Sequence, residues 1–113
     1  MHEMALAESV LGVIEDARRR QGFVRVRVVH LEIGALAAVE VEALCSCLEI
    51  VLARSAARAA RIECAIVPGS GYCLDCGQTV VMDALYAACP HCAGPHVQAT
   101  DGMQMRIRDL IVE

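Results

Sequence analysis

Residues 73–92 read Cys-Leu-Asp-Cys-Gly-Gln-Thr-Val-Val-Met-Asp-Ala-Leu-Tyr-Ala-Ala-Cys-Pro-His-Cys. They hold two Cys-x-x-Cys pairs, Cys73/Cys76 and Cys89/Cys92, with twelve residues between them. A two-residue gap lets both sulfurs of a tight turn face one ion, and two such pairs supply a tetrahedral four-thiolate site. The competing reading is four buried or redox-active thiols. A thioredoxin-like pair opens a helix in a βαβ setting. Gly71-Tyr72 before Cys73 and Gln78–Val81 after Cys76 have instead the character of a β-ribbon. Gly77 and Gly94 suit the left-handed backbone that thiolate turns use. Four thiolates close the coordination sphere, so the expected metal is structural zinc and not a catalytic centre. Residues 68–102 carry too few apolar side chains to fold alone. Metal binding supplies the missing free energy, on the order of 10–16 kcal/mol in small zinc modules.

The rest of the 113-residue chain sets the frame for this module. It contains three further cysteines, at 45, 47 and 64. An odd total of seven without a secretory leader argues against a disulfide framework. Cys45 and Cys47 lie two apart on a helix, on nearly opposite sides, and cannot chelate one ion together. Cys64 alternates with Ile62 and Ile66. All three are expected as small buried hydrophobes.

Outward from the cysteines, the periodicity alternates between helix and strand. Residues 3–20 carry Leu6, Val10, Ile14 and Ala17 on one helical stripe, with Arg18–Arg20 in the last turn and Gly22 as the stop. Residues 23–33 are β-branched, and their apolar parity switches between Val28 and Val29. Such a slip marks a bulge or a strand buried on both faces. Residues 39–54 form a second amphipathic helix with Val41, Leu44, Leu48, Val51 and Leu52 inward, prolonged by alanines to about residue 57. Residues 62–67 make a short strand, stopped by a candidate boundary at Pro68-Gly69-Ser70-Gly71. Gly102 is a second boundary, and residues 103–112 form a last strand.

The expected fold is therefore α+β, a three-stranded sheet with two helices. A small four-cysteine zinc-ribbon-like domain, residues 68–102, interrupts it before the last strand. Residues 1–67 and 103–113 make the larger domain.

Composition narrows the function classes. The net charge is −4, only 3% of residues are aromatic, and every basic residue is Arg. A nucleic-acid binder usually shows a basic face or stacking rings. Mean hydropathy is +0.48. Yet the longest uncharged stretch, 84–100, contains Pro90, His91, Gly94, Pro95 and His96 and is not a spanning helix. Glu3 and Glu8 stand where a signal peptide has positive charge. The chain is expected to be cytoplasmic. No nucleophile–base pair stands at a readable spacing, so no enzymatic activity is expected.

Met1-His2-Glu3 offers a second kind of metal site. The α-amine of Met1, the His2 backbone nitrogen and the His2 imidazole can close fused chelate rings, a nitrogen-rich set that suits Ni(II) or Cu(II). A histidine at a chain end is otherwise most often a solvated side chain. The helix that starts at Glu3 strengthens the metal reading by fixing the terminus.

Taken in order, several segments resemble the HypA/HybF family of hydrogenase nickel-incorporation proteins. They are Met1-His2-Glu3, Leu31-Glu32-Ile33-Gly34, Val39-Glu40-Val41-Glu42-Ala43-Leu44, Cys73-x2-Cys76, Cys89-x2-Cys92 and Gly102-Met103-Gln104-Met105-Arg106-Ile107. The resemblance implies a nickel metallochaperone with a nickel domain and a zinc domain. It implies delivery of Ni(II) to the [NiFe]-hydrogenase large-subunit precursor, together with a nickel-handling GTPase. By the same resemblance His2 is the nickel ligand, Glu3 belongs to its motif, and Cys73, Cys76, Cys89 and Cys92 hold zinc. A monomer or weak homodimer is expected. Cys45-Ser46-Cys47-Leu48 departs from the more aromatic helix usual in the family. His91 and His96 read as solvated histidines of the zinc domain. The alternative is a zinc-ribbon adaptor or regulator without a nickel function.

Overall fold

The computed structural model describes residues 2–113. The elements in order are α1 (Glu3–Gln21), β1 (Val26–Gly34), α2 (Val41–Leu52), β2 (Arg61–Val67), β3 (Gly69–Cys73), β4 (Thr79–Met82), β5 (Val97–Asp101) and β6 (Met105–Val112). They form two three-stranded sheets, ordered β2-β1-β6 and β4-β3-β5. The two helices and the mixed α+β class agree with the sequence reading. The chain divides into two compact units. The first holds the chain up to Leu31, Val39–Cys64 and Ile107–Glu113; the second holds Glu32–Ala38 and Ala65–Arg106.

In the first unit, α1 buries Ala7, Val10, Ile14 and Ala17, one stripe at helical spacing. Gly22 ends it in the left-handed conformation, φ 73°, and its N–H closes on the Arg18 carbonyl at 2.8 Å. Helix α2 packs against α1 and buries Leu44, Leu48 and Leu52. Each fully buried leucine contributes about 1.5–3 kcal/mol relative to exposure. Val41 and Val51, expected inward, are only half-buried. The helix also stops earlier than its alanine-rich continuation promised. The Ser55 hydroxyl donates to the Leu52 carbonyl and accepts from the Ala57 amide. A side chain that bonds local backbone in this way diverts the chain into turns.

The parity slip is present in β1: Val26 and Val28 are buried before it and Val29, Leu31 and Ile33 after it, while Arg27 is exposed and His30 and Glu32 are half-buried. Strand β1 is central in its sheet, with β2 and β6 on its two edges. Reciprocal bonds between Arg25 and Glu113, and the Gly34 amide on the Gln104 carbonyl, run β6 antiparallel to β1. His30 beside Glu63, and the Ala35 amide on Val67, run β2 parallel to it.

Strand β2 corrects one expectation. It is an edge strand with no fully buried residue; Ile66 is 58% exposed and Cys64 is half-buried. Cys45 and Cys47 are half-buried as well. None of the three is the expected small buried hydrophobe. Burial and the neighbouring Cys45 thiol push the Cys64 thiol up to about 11, which leaves it protonated at neutral pH.

Strand β2 stops at Val67, before the Pro68-Gly69-Ser70-Gly71 run, and in the second unit strand β3 begins within that run at Gly69 and pairs antiparallel with both β4 and β5. Gly71 is required there by space. A Cβ at that position would meet the Met82 sulfur, and would lie 2.9 Å from the Gln98 carbonyl oxygen and from Val97. Glycine in a strand marks such close approach as readily as a break.

Candidate metal centre

The two Cys-x-x-Cys loops build matching turns. In the first, the Gly77 amide bonds the Cys73 carbonyl at 2.8 Å with φ 73°; in the second, the Ala93 amide bonds the Cys89 carbonyl at 2.8 Å with φ 61°. Each left-handed residue stands four positions after the first cysteine of its pair. The sequence reading placed Gly94 in that role, and the structure gives it to Ala93. Gly94 is needed for room instead, because a Cβ there would strike the Asp75 carboxylate. That carboxylate also accepts from His96 Nδ1 at 3.0 Å.

These turns bring Cys73, Cys76, Cys89 and Cys92 together, their sulfurs all within 4.8 Å of one another. Cys73 Sγ lies 3.7 Å from Cys92 Sγ, and Cys76 Sγ lies 3.7 Å from Cys89 Sγ. A tetrahedral zinc with Zn–S bonds of about 2.3 Å places its sulfurs about 3.8 Å apart. The donor set therefore fits a zinc-sized ion. Cys73 and Cys89 are buried, Cys76 and Cys92 lie at the surface.

Backbone amides prepare the thiolates. His91 and Cys92 donate to Cys89 Sγ at 3.4 and 3.5 Å, and Gly94 donates to Cys92 Sγ at 3.4 Å. The Cys92 amide, then that of His91, bring the Cys89 thiol down to about 6 against its desolvation. Desolvation, then the Cys73 thiol, push Cys76 up to about 12. Four sulfurs this close cannot all ionise without a cation to offset their repulsion. Cys73, Val80 and Cys89 form a small buried cluster, with Val97 packed against it. Two of its three buried members are thus metal ligands.

The N-terminal residues are placed differently. His2 is exposed and serves as the N-cap residue of α1 in extended conformation, without a side-chain capping bond; its carbonyl accepts from the Leu6 amide. Glu3 Oε2 accepts from the backbone amide of Glu40, the N-cap of α2, at 3.3 Å. The heads of the two helices and two carboxylates therefore share one end of the first unit with His2. The Met1 amine lies outside the described residues. The sequence reading missed Glu40 because nothing in its spacing from Glu3 signals contact.

It also missed His30. This half-buried ring on β1 faces Glu63 of β2 at 3.3 Å through Nε2 and Asp109 of β6 through Nδ1. His30, then Arg108, hold the Asp109 carboxyl below its ordinary value. His91 is exposed, as expected, and so is His96. Among the described residues, no helix is long and apolar enough to cross a membrane.

Two helices, two three-stranded sheets and a four-thiolate cluster define an α+β metal-handling protein. The model of the HypA family, described as "Hydrogenase/urease nickel incorporation, metallochaperone, hypA", matches residues 1–112. The hydrogenase maturation factor HypA of Azoarcus sp. (strain BH72) is 50% identical over 110 residues, which cover 97% of this chain and 96% of that protein. Its counterpart in Dechloromonas aromatica (strain RCB) is 48% identical over 113 residues, the full length of both. The solution structure of the Ni metallochaperone HypA from Helicobacter pylori shares the fold, with a TM-score of 0.74 at 24% identity over 99% of this chain and 97% of that one. The chain belongs to the HypA family of nickel-incorporation metallochaperones.

Proposed function

We propose that this protein binds Ni(II) at its N-terminus through His2 and passes it to the large-subunit precursor of [NiFe]-hydrogenase. Family membership over residues 1–112 carries this reading. The exposed imidazole of His2, one residue before α1, supports it: the ring is open to cargo while the helix limits its excursions. The Met1 amine and backbone nitrogens complete a nitrogen-rich set suited to Ni(II). Glu3 belongs to the site as the residue that ties the head of α1 to Glu40.

Cys73, Cys76, Cys89 and Cys92 hold zinc as a structural ion. Zinc supplies a tetrahedral cross-link among the loops that carry it. Residues 68–102 act as the zinc domain, and residues 1–67 with 103–113 as the nickel domain. A nickel-handling GTPase is the upstream partner, and the protein works in the cytoplasm as a monomer or weak homodimer without catalysing a reaction of its own.

Release is built into the chemistry of the cargo site. The amine, the imidazole and any ligating amide must shed protons to bind nickel, so acid favours release. A shallow terminal site also lets a receiving protein reach the ion directly.

Nickel titration of the untagged, zinc-loaded chain beside His2→Ala tests the reading. The variant is expected to lose the tight nickel site while retaining one zinc per chain. Equal nickel affinity in the two proteins overturns it.

A further inference from the structure

The acidic chain hides a cationic pole. Its ten basic side chains are outnumbered by fourteen carboxylates, and most arginines are matched. Arg19 and Arg20 pair with Asp16, Arg25 and Arg27 with Glu113, Arg61 with Glu63, Arg106 with Glu32 and Arg108 with Asp109. Among the described residues, Arg18, Arg54 and Arg58 have no ion-pair partner. All three lie at the end of the first unit where α1 and α2 finish, away in sequence from His2 and the helix heads.

Two of them line one groove. Its hollow measures about 260 Å³, with the half-buried Leu11 and Val51 as apolar lining over the fully buried Ile14, and Arg18, Arg19 and Arg54 as the cationic one. Glu15 is the only carboxylate on it. The next hollow, beyond the shared segment Arg54–Ala56, adds Arg25 and Arg58 and the 72% exposed Val24. Positive charge at helix C-termini is favourable for the helix dipole. That accounts for charge near the end of α1. It does not account for Arg54 and Arg58, which follow α2, or for an apolar lining set among unpaired guanidinium groups.

We infer that this groove is a docking site for an acidic segment of a partner protein, one bulky apolar side chain seated on Leu11 and Val51 and flanking carboxylates paired with Arg18 and Arg54. The volume suits one large side chain. Arginine suits the flanks because its planar fork takes a carboxylate in bidentate geometry. Nucleic acid fits less well: the lining offers no aromatic ring for a base to stack on, and the chain as a whole repels phosphate. The groove shares no residue with the four-cysteine cluster or with the head of α1 that carries His2.

A fluorescein-labelled peptide, Asp-Glu-Leu-Phe-Glu-Asp, and its Lys-Lys-Leu-Phe-Lys-Lys and Asp-Glu-Ala-Ala-Glu-Asp counterparts test this with the full-length, zinc-loaded protein. Binding is followed by fluorescence anisotropy and by amide chemical-shift changes. The first peptide is expected to bind and to shift residues 11–18 and 51–56. Its affinity should fall at least tenfold in Arg54→Glu or Arg18→Glu, and should weaken with salt. The two counterpart peptides should not bind. Arg20→Glu, outside the groove, serves as the charge control and should retain binding. No shift in those segments at millimolar peptide, equal affinity in Arg54→Glu and wild type, or equal binding of the alanine peptide overturns the inference. A short DNA duplex displacing the peptide also overturns it.

Discussion

The carboxylate of Glu3, the first residue of α1, accepts the backbone amide of Glu40 at the head of α2 across 3.3 Å. This bond gives Glu3 a structural task beside any part in holding nickel, and two substitutions separate them. Glu3→Ala removes the acceptor and is expected to cost about 0.5–2 kcal/mol, the range for losing a helix cap. Glu3→Gln keeps an oxygen acceptor and should recover most of that loss in denaturant unfolding. If Glu3 only positions the terminus, Glu3→Gln also restores nickel affinity. A Gln variant that is stable but still weak for nickel identifies the carboxylate charge as part of the cargo site.

The four-thiolate centre makes the second unit dependent on its ion. Cys73 and Cys89 are two of the three buried members of the cluster beside the ion, so removing the metal takes away the cross-link that holds the loops around the three short strands. Binding free energy in such modules is on the order of 10–16 kcal/mol. Chelation, or Cys89→Ser, is expected to collapse amide dispersion for residues 69–101 while α1 and α2 keep their helical circular dichroism. Retention of all β3–β5 resonances after complete metal removal would refute this. Acid should act in the same direction, because each ligand must lose its proton to bind.

Much of this design was legible in the chain and some was not. The cysteine spacing is a local code, and so is the α1 stripe read at Leu6, Val10, Ile14 and Ala17, although Ala7 is buried there and Leu6 is only half-buried. Contacts between distant segments leave no such trace. His30, Glu63 and Asp109 meet only because β1 lies between β2 and β6. Gly69 and Gly71 look like a break because glycine serves both turns and crowded strands, and only the paired strands distinguish the two uses. The end of α2 was misplaced for a different reason: alanine propensity favours continuation, but the Ser55 hydroxyl competes for backbone groups.

Gly71 tests that reading of the crowded strand. Gly71→Ala places a methyl on the Met82 sulfur and 2.9 Å from the Gln98 carbonyl oxygen. Met82 is flexible at its end, whereas the carbonyl belongs to β5 and cannot yield without shifting the pairing. Overpacking of this kind costs about 1–3 kcal/mol. The variant should release its zinc faster to a competing chelator. An alanine variant with unchanged release would mean that the sheet opens freely there.

Asp109 links stability to pH through His30. His30, then Arg108, favour the ionised carboxylate, so its folded-state value lies below the ordinary one. A depressed carboxyl stabilises the fold above its unfolded-state value, near 3.9 for Asp, and that contribution disappears as pH falls through the folded value. The group is solvent-screened, so the effect is modest. Asp109→Asn should lower the melting temperature at pH 7, and the gap from wild type should narrow as acid protonates the Asp109 carboxylate. The acid-induced loss in wild type should therefore exceed that in the variant. Metal release from the thiolate site also responds to acid, so the comparison is made on the fall in helical circular dichroism of α1 and α2, with zinc content measured in parallel. Parallel stability curves for the two proteins from pH 7 to pH 2 would show that the His30–Asp109 pair carries no pH-dependent stability.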